Sequence, residues 1–139
     1  MQAIEQVLYT GKTRTVGGGR DGVSRSTDGR LDVQLTSFYA EGPGTNPEQL
    51  LAAGWSACFI GAIRKAAAEQ KVKVGEDVTV DTEVDLGKTG ADFLLQARMS
   101  VNIPGVEAEV AQQLVERAHA TCPYSKALHG NINISTRLV

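Results

Sequence analysis

Residues 46–63 read NPEQLLAAGWSACFIGAI, and this stretch decides the fold because it predicts one long buried helix. Asn46 suits the N-cap position, Pro47 suits the first helical turn, and Gln49 is placed to complete a capping box. The helical composition continues to about Gln70, which corresponds to roughly 36 Å at about 1.5 Å per residue. We therefore expect a helix from Pro47 to about Gln70.

This helix is apolar around nearly its whole circumference. Its bulky apolar members are Leu50, Leu51, Trp55, Cys58, Phe59, Ile60 and Ile63. The small residues between them are Ala52, Ala53, Gly54, Ala57, Gly61 and Ala62, and they leave room for another backbone to approach closely. A helix that is hydrophobic on all sides must be buried in a core or an interface. A chain of 139 residues has few other elements to surround such a helix, so we expect a dimer.

Strand-like alternation lies on both sides of the helix. Apolar and polar residues alternate over residues 31–36, and the turn signal Asp28-Gly29 predicts a hairpin of residues 23–27 and 30–37. The opening segment, residues 3–14, is interpreted as another strand. After the helix, two long strands are predicted over residues 78–86 and 93–103, with a turn at Gly87–Gly90.

The remaining residues complete an α+β pattern. A second helix is predicted over about residues 107–120, a short helix from Pro123 to Leu128, and a final strand over residues 132–138. The strands cluster around two main helices without regular βαβ alternation. The fold class is therefore α+β, with antiparallel sheets wrapped around the two main helices.

Composition limits the class of protein. The length of 139 residues predicts one domain over residues 1–139. The chain carries 14 Lys and Arg against 16 Asp and Glu, which gives a net charge of −2. Without clustered basic residues, we expect neither a nucleic-acid partner nor a membrane partner. The apolar run Leu50–Ile63 is too short to span a bilayer, and the first five residues lack the pattern of a signal peptide. The expected location is the cytoplasm.

The two cysteines, Cys58 and Cys122, are the main candidates for chemistry. One interpretation is that both are buried and inert, because free cysteine is among the most buried residue types. The other is a transient functional disulfide, since a permanent one is not expected in a reducing compartment. Cys122 precedes Pro123 at an N-cap position, where helix-terminal amides lower a thiol pKa. Local electrostatics alone do not choose the attacking thiol.

Two loops offer polar partners. The segment GGGRDG at residues 17–22 formally matches a dinucleotide fingerprint, but a strand-like run follows it instead of the helix that fingerprint requires. It is interpreted either as a flexible hairpin tip or as a loop that turns Arg20 toward a site. Glu48 lies in the first turn of the long helix, where a carboxylate is favoured by the dipole and is able to hold an arginine. His119 and Cys122 lack a second pair of ligands, so no metal site is predicted, and His119 is interpreted as a surface histidine.

Four motifs together resemble the organic hydroperoxide resistance proteins, which belong to the superfamily of osmotically inducible peroxidases. They are GGRDG at residues 18–22, GTNPEQL at 44–50, SACFIG at 56–61 and CPYS at 122–125. The resemblance extends over essentially the whole chain, in order and at plausible spacing. Trp55 stands where the family is expected to have tyrosine, a difference that bears on substrate preference.

The resemblance implies an intertwined homodimer with active sites at the subunit interface. It identifies Cys58 as the peroxidatic cysteine, Cys122 as the resolving cysteine, Arg20 as the group that activates the thiolate, and Glu48 as the carboxylate that holds this arginine. It implies organic hydroperoxides as substrates and no bound cofactor. The reductant it implies is a dithiol, dihydrolipoamide or a lipoylated protein. Candidates for an apolar substrate wall are Trp55, Phe59, Tyr124 and Phe38.

Three functional classes follow from these residues. A cysteine-based peroxidase is the leading hypothesis. The alternatives are a non-catalytic binder of apolar ligands, which would use the same buried helix, and a redox sensor with a regulatory disulfide. Repeated turnover, as opposed to a single oxidation event, separates the peroxidase from both.

Overall fold

The computed structural model describes residues 3–139, whose six strands and three helices confirm the α+β class. In chain order they are β1 (Thr13–Val16), β2 (Val23–Ser26), β3 (Asp32–Gln34), α1 (Pro47–Glu69), β4 (Thr79–Thr89), β5 (Asp92–Asn102), α2 (Ala108–Thr121), α3 (Pro123–Leu128) and β6 (Asn133–Leu138). Contacts divide the described chain into two compact units, one that ends at Pro47 and one that spans residues 48–139. The two units are described separately.

The first unit is a three-stranded antiparallel sheet in the order β1-β2-β3. Its β2–β3 hairpin turns at Gly29, which has φ of +73°, so the hairpin prediction is confirmed. The prediction of a strand over residues 3–14 is largely wrong, because only Thr13 and Arg14 of that segment belong to β1. Residues 3–12 belong to no strand of the described chain, although the Lys12 carbonyl accepts a hydrogen bond from the Thr27 N–H at 3.0 Å, and the side chains of Ile4 and Leu8 are exposed.

The glycine-rich loop that precedes β2 is tightly turned. Gly19 has φ of +69°, and a side chain at Gly22 would lie 1.8 Å from the Val16 carbonyl oxygen. The Asp21 carboxylate accepts a hydrogen bond of 2.9 Å from the Ser37 N–H. A strand follows this loop, so the dinucleotide interpretation lacks its helix. The loop instead presents Arg20 from a constrained backbone.

The second unit contains a mixed sheet in the order β4-β5-β6. Strands β4 and β5 are antiparallel over eleven paired positions. The turn between them is at Gly90 and Ala91, so the predicted turn at Gly87–Gly90 is wrong in position: Gly87 pairs with Leu94 inside the hairpin. Strand β6 runs parallel to β5, which corrects the expectation of wholly antiparallel sheets. The reason is the connection, because α2 and α3 form the crossover that a parallel neighbour requires.

Helix α1 confirms the predicted helix and supplies much of the core. Its residues Trp55, Phe59 and Ile63 are fully buried, together with Leu114 of α2 and Val101 of β5. Burial of each such side chain contributes roughly 1.5–3 kcal/mol to stability. These contacts fix the position of the α1 turn that carries Cys58, which packs against the same cluster.

The opposite side of α1 remains exposed within one chain. Its solvent-facing residues are Ala53, Ala57, Gly61, Arg64, Lys65 and Ala68. By length and composition alone α1 is long and apolar enough to cross a membrane, a test that the core helices of soluble proteins also pass. The sequence analysis judged the apolar run Leu50–Ile63 too short to span a bilayer, but the helix that contains this run continues to Glu69.

Candidate active site

The sulfur atoms of Cys58 and Cys122 lie 3.2 Å apart, although the residues are separated by 64 positions in the chain. Both are free cysteines, and the Cys122 thiol donates a hydrogen bond to Cys58 Sγ. A disulfide bond is about 2.05 Å long, so the two sulfurs need to approach by only about 1 Å to form one. The folded chain therefore brings the two predicted redox residues into bonding range.

Cys122 owes its position to the junction between α2 and α3. Its N–H donates to the Ala118 carbonyl (2.8 Å), and its own carbonyl accepts from the Lys126 N–H (3.0 Å). The residue has φ −65° and ψ 121°, the extended backbone expected immediately before Pro123. Its thiol makes no capping bond to α3, so the thiol is available to Cys58.

Exposure separates the roles of the two cysteines, which local electrostatics left open. Cys122 is fully buried, whereas Cys58 is only partly covered. A small molecule arriving from solvent therefore reaches Cys58 first. This difference favours Cys58 as the attacking thiol and Cys122 as its internal partner.

The surroundings of Cys58 within residues 48–139 oppose its ionisation. Burial raises the pKa of the Cys58 thiol, and the neighbouring Cys122 sulfur, whose negative charge would repel a Cys58 thiolate, raises it further. The backbone N–H of Tyr124, in the first turn of α3, lowers the Cys58 pKa by a smaller amount. An amide at the start of α3 thus acts on Cys58. A reactive thiolate at Cys58 needs an additional positive charge.

Arg20 and Glu48 lie in different units of the chain. Arg20 is partly buried, and its guanidinium carbon is 5.7 Å from the centre of the Phe38 ring, within the range of a cation–π contact. Glu48 is partly buried in the first turn of α1, where the dipole favours a carboxylate. Their action together with Cys58 stays a prediction.

The four residues predicted for an apolar wall divide into two pairs. Trp55 and Phe59 are fully buried, which gives them a core role behind Cys58. Tyr124 and Phe38 are 41% and 50% exposed, so they are accessible to a substrate. Gly54 contributes to this arrangement, since a side chain there would lie 3.0 Å from the Tyr124 hydroxyl. Gly54 therefore leaves room for the Tyr124 side chain, whereas the sequence analysis expected it to leave room for a neighbouring backbone.

Two residues near the cysteines, His119 and Ser125, were missed as contributors by the sequence analysis. His119 was expected on the surface, but it is partly buried and both of its ring nitrogens have hydrogen-bond partners, Ser125 and Thr136. Burial lowers the pKa of His119, and repulsion from His129 adds to this effect. The available signal was helical spacing, because His119 follows the buried Val115 by four residues. Within residues 3–139 no group of three or more His, Cys, Asp or Glu side chains is arranged to hold a metal ion.

Comparisons with known proteins agree with these features. A family model described as OsmC-like protein matches residues 40–137. An organic hydroperoxide resistance protein of Xanthomonas axonopodis pathovar citri is 42% identical over 99% of both chains. OhrB of Bacillus subtilis, named an organic hydroperoxide resistance protein, is 43% identical over 94% of this chain and 98% of the relative.

Solved structures extend the similarity to the fold. The crystal structure of Bacillus subtilis OhrB matches with a TM-score of 0.89 and 40% identity, over 96% of this chain and all of that one. A crystal structure from Legionella pneumophila, described as an organic hydroperoxide resistance protein, matches with a TM-score of 0.90 and 40% identity. It covers 96% of this chain and 98% of the other.

Proposed function

The chain belongs to the OsmC-like family and, within it, to the organic hydroperoxide resistance proteins, and from this premise we propose that it is a cysteine-based peroxidase. Its substrates are alkyl and lipid hydroperoxides, which it reduces to alcohols. The observation that carries the proposal is the 3.2 Å contact between an accessible Cys58 and a buried Cys122. If both cysteines were inert core residues, we would expect both to be buried, whereas Cys58 is partly exposed.

The proposed reaction begins when the Cys58 thiolate attacks the terminal oxygen of the hydroperoxide. The O–O bond breaks, the alkoxide leaves and takes a proton to become the alcohol, and Cys58 becomes a sulfenic acid. Cys122 then attacks the Cys58 sulfur, so that an S–S bond forms, the S–O bond breaks, and the hydroxyl leaves as water. Each cycle moves two electrons from the pair of thiols to the peroxide.

We assign the activating charge to Arg20 and the orientation of this arginine to Glu48. The environment within the second unit raises the Cys58 pKa, so a cation is needed to hold the thiolate. A guanidinium offers more than charge, because its planar fork can hold a carboxylate and direct donors toward a peroxide at the same time. The constrained loop around Gly19 and Gly22 supports this assignment by limiting where Arg20 can lie.

Recycling is assigned to a dithiol, dihydrolipoamide or a lipoylated protein. A dithiol attacks the disulfide to give a mixed disulfide and then closes on itself, which releases both protein thiols. Cys58 is the accessible sulfur, so the reductant would form the mixed disulfide there. Reducing conditions of this kind are those of the cytoplasm, the location we propose for the protein.

We also propose that the functional unit is a homodimer. Ala53, Ala57 and Gly61 are exposed at intervals of four residues, so they form a stripe on α1 that a second backbone can approach. Glu48 and Cys58 are ten residues apart on this helix, about 15 Å along its axis. A neighbouring antiparallel subunit would bring Glu48 of one chain toward Cys58 of the other.

The dimer hypothesis predicts complementation between inactive subunits. Equimolar mixing of Cys58→Ser and Glu48→Gln chains, unfolded and refolded together, is expected to restore about a quarter of the parental activity, because half of the dimers are mixed and one of their two sites is complete. Each variant refolded alone serves as the control. Persistent inactivity of the mixed dimers would show that Glu48 serves the Cys58 of its own chain.

Substrate preference tests the proposed function. The exposed aromatic side chains Tyr124 and Phe38 favour a peroxide with an apolar group. The three methyl groups of tert-butyl hydroperoxide contribute about 0.8 kcal/mol each when buried, so partial burial corresponds to a preference of at least about tenfold. The measurement compares kcat/KM for tert-butyl hydroperoxide and hydrogen peroxide with dihydrolipoamide as reductant. Equal values for the two peroxides would contradict a site built for organic substrates.

A further inference from the structure

A hydrogen-bonded chain of two buried and two partly buried side chains connects α1, α3, α2 and β6 close in sequence to the two cysteines. The Trp55 indole N–H donates to Ser125 Oγ at 2.9 Å, and Ser125 Oγ is 3.3 Å from His119 Nδ1. His119 Nε2 in turn is 2.9 Å from Thr136 Oγ1. Trp55 and Ser125 are essentially inaccessible to solvent. None of these four side chains has a role in the reaction as proposed.

The donors and acceptors of this chain are mutually compatible. An indole N–H can only donate, so Ser125 Oγ accepts from Trp55. A neutral imidazole has one donor and one acceptor nitrogen, so His119 donates in one of its contacts, with Ser125 or with Thr136, and accepts in the other. Burial lowers the His119 pKa, which favours this neutral ring.

The chain lies one helical turn from the sulfur pair on both sides. Trp55 precedes Cys58 by three residues in α1, and Ser125 follows Cys122 by three residues at the start of α3. Residues three apart in a helix share a face. The Trp55–Ser125 hydrogen bond is therefore a second link between the two segments that the cysteines join.

His119 also holds the junction between α2 and α3, where Cys122 lies. It precedes Cys122 by three residues in α2, and its ring centre lies 4.5 Å from that of Phe59, the neighbour of Cys58. Through Thr136 it is also tied to β6 of the mixed sheet. The junction that holds Cys122 is thus fixed to a helix on one side and to a sheet on the other.

We propose that the Trp55–Ser125–His119–Thr136 chain is a positioning network that holds Cys122 against Cys58 for disulfide formation. This inference rests on the proposed peroxidase function. The proposed reaction gives none of the four a chemical step, so they are positioning residues and act only through the placement of the resolving thiol.

The network matters because the Cys58 sulfenic acid has two competing fates. In one, Cys122 attacks the sulfenic sulfur, the S–S bond forms, and the hydroxyl leaves as water. In the other, a second organic hydroperoxide transfers its terminal oxygen to that sulfur, the O–O bond breaks, an alcohol is released, and a sulfinic acid remains. A misplacement of about 1 Å can cost a step up to about a hundredfold in rate, so loosening Cys122 favours the sulfinic acid.

The test is Ser125→Ala, with Ser24→Ala as a matched control. Ser24 is the other buried polar side chain among residues 3–139, and its hydroxyl likewise has a hydrogen-bonding partner, Thr15. Each reduced protein is mixed with excess tert-butyl hydroperoxide without reductant, and mass spectrometry follows the disulfide and the sulfinic acid. Ser125→Ala is expected to raise the ratio of sulfinic acid to disulfide at least about tenfold, while the rate of Cys58 oxidation stays within about twofold. Ser24→Ala is expected to keep the parental ratio.

Several outcomes would overturn the inference. A parental ratio in Ser125→Ala does so, and so does an equal slowing of both steps, because that result indicates a purely structural role. If Ser125→Ala does not fold, ¹⁵N NMR of the parental protein decides: the expected signature is a neutral His119 ring and a slowly exchanging Trp55 indole N–H, and rapid exchange of that indole N–H with solvent overturns the network. A parental protein that forms no disulfide with the organic peroxide would instead refute the proposed function.

Discussion

Cys58→Ser is expected to reduce peroxidase turnover by at least about a thousandfold while the protein folds normally. A serine oxygen is a far weaker nucleophile at neutral pH and forms no equivalent of the sulfenic acid, so the first step is lost and not merely slowed. Serine and cysteine are similar in size, and Cys58 is only partly covered, so the core is preserved. The measurement is the steady-state rate with tert-butyl hydroperoxide and dihydrolipoamide, with thermal unfolding as the check on folding.

Cys122→Ser is the matched comparison, because it removes the other sulfur of the same 3.2 Å pair. This variant is expected to reduce the first equivalent of peroxide at a rate close to the parental one and then to lose activity as Cys58 passes to the sulfinic acid. If the two variants exchanged these behaviours, the assignment of Cys58 as the attacking thiol would be wrong. Substantial turnover in Cys58→Ser would refute the cysteine mechanism itself.

Arg20→Lys is expected to lose most of the activity, about 90% or more, although the positive charge is kept. A guanidinium beside a thiol lowers its pKa, so Arg20 would raise the thiolate fraction of Cys58 near neutral pH. With a Brønsted slope of about 0.4–0.5, the intrinsic nucleophilicity of the sulfur falls as its pKa falls. These two effects oppose each other, so a change in pKa alone does not explain a requirement for arginine.

The remaining contribution of Arg20 is directional. A guanidinium fork is able to align the peroxide and to stabilise the charge that develops on the departing alkoxide, whereas a lysine is a point charge without this geometry. The second-order rate constant for peroxide reduction and the Cys58 pKa, followed by thiolate absorbance, are measured on the same protein. The expected result is a pKa near the parental value with a rate at least about tenfold lower. Near-parental turnover in Arg20→Lys would refute the directional role.

The parts of the fold that were predicted correctly depend on local signals. Helix α1 was predicted from its proline start and continuous helical composition, and α3 from Pro123. The β2–β3 hairpin followed from Asp28-Gly29, a two-residue signal that acts within its own turn. Capping, turns and periodicity are properties of neighbouring residues, so one sequence suffices to read them.

The parts that were missed depend on contacts between distant residues. Nothing within residues 133–138 indicates that β6 runs parallel to β5, because this direction is set by the crossover through α2 and α3. The apolar residues Ile4 and Leu8 suggest a strand, but a strand also needs a partner, and the described chain places neither residue in a strand.

The candidate site shows the same division. The Cys-Pro junction was recognised from sequence, whereas the proximity of Cys122 to Cys58 came only through the resemblance to a family. The hydrogen bonds of Ser125 join residues up to 70 positions apart, and no periodicity encodes such a link. His119 was interpreted as a surface residue because a single histidine on a charged helix carries no sign of its partners.

The most direct measurement is the amount of tert-butyl alcohol formed per mole of protein when tert-butyl hydroperoxide and dihydrolipoamide are both in large excess. The prediction is that many equivalents of alcohol form, one for each dithiol oxidised, and that Cys58→Ser forms only the uncatalysed background. Formation of a single equivalent, with the two cysteines oxidised once and not recycled, would contradict peroxidase function and favour a redox sensor. No alcohol and no change in the cysteines would favour a binder of apolar ligands.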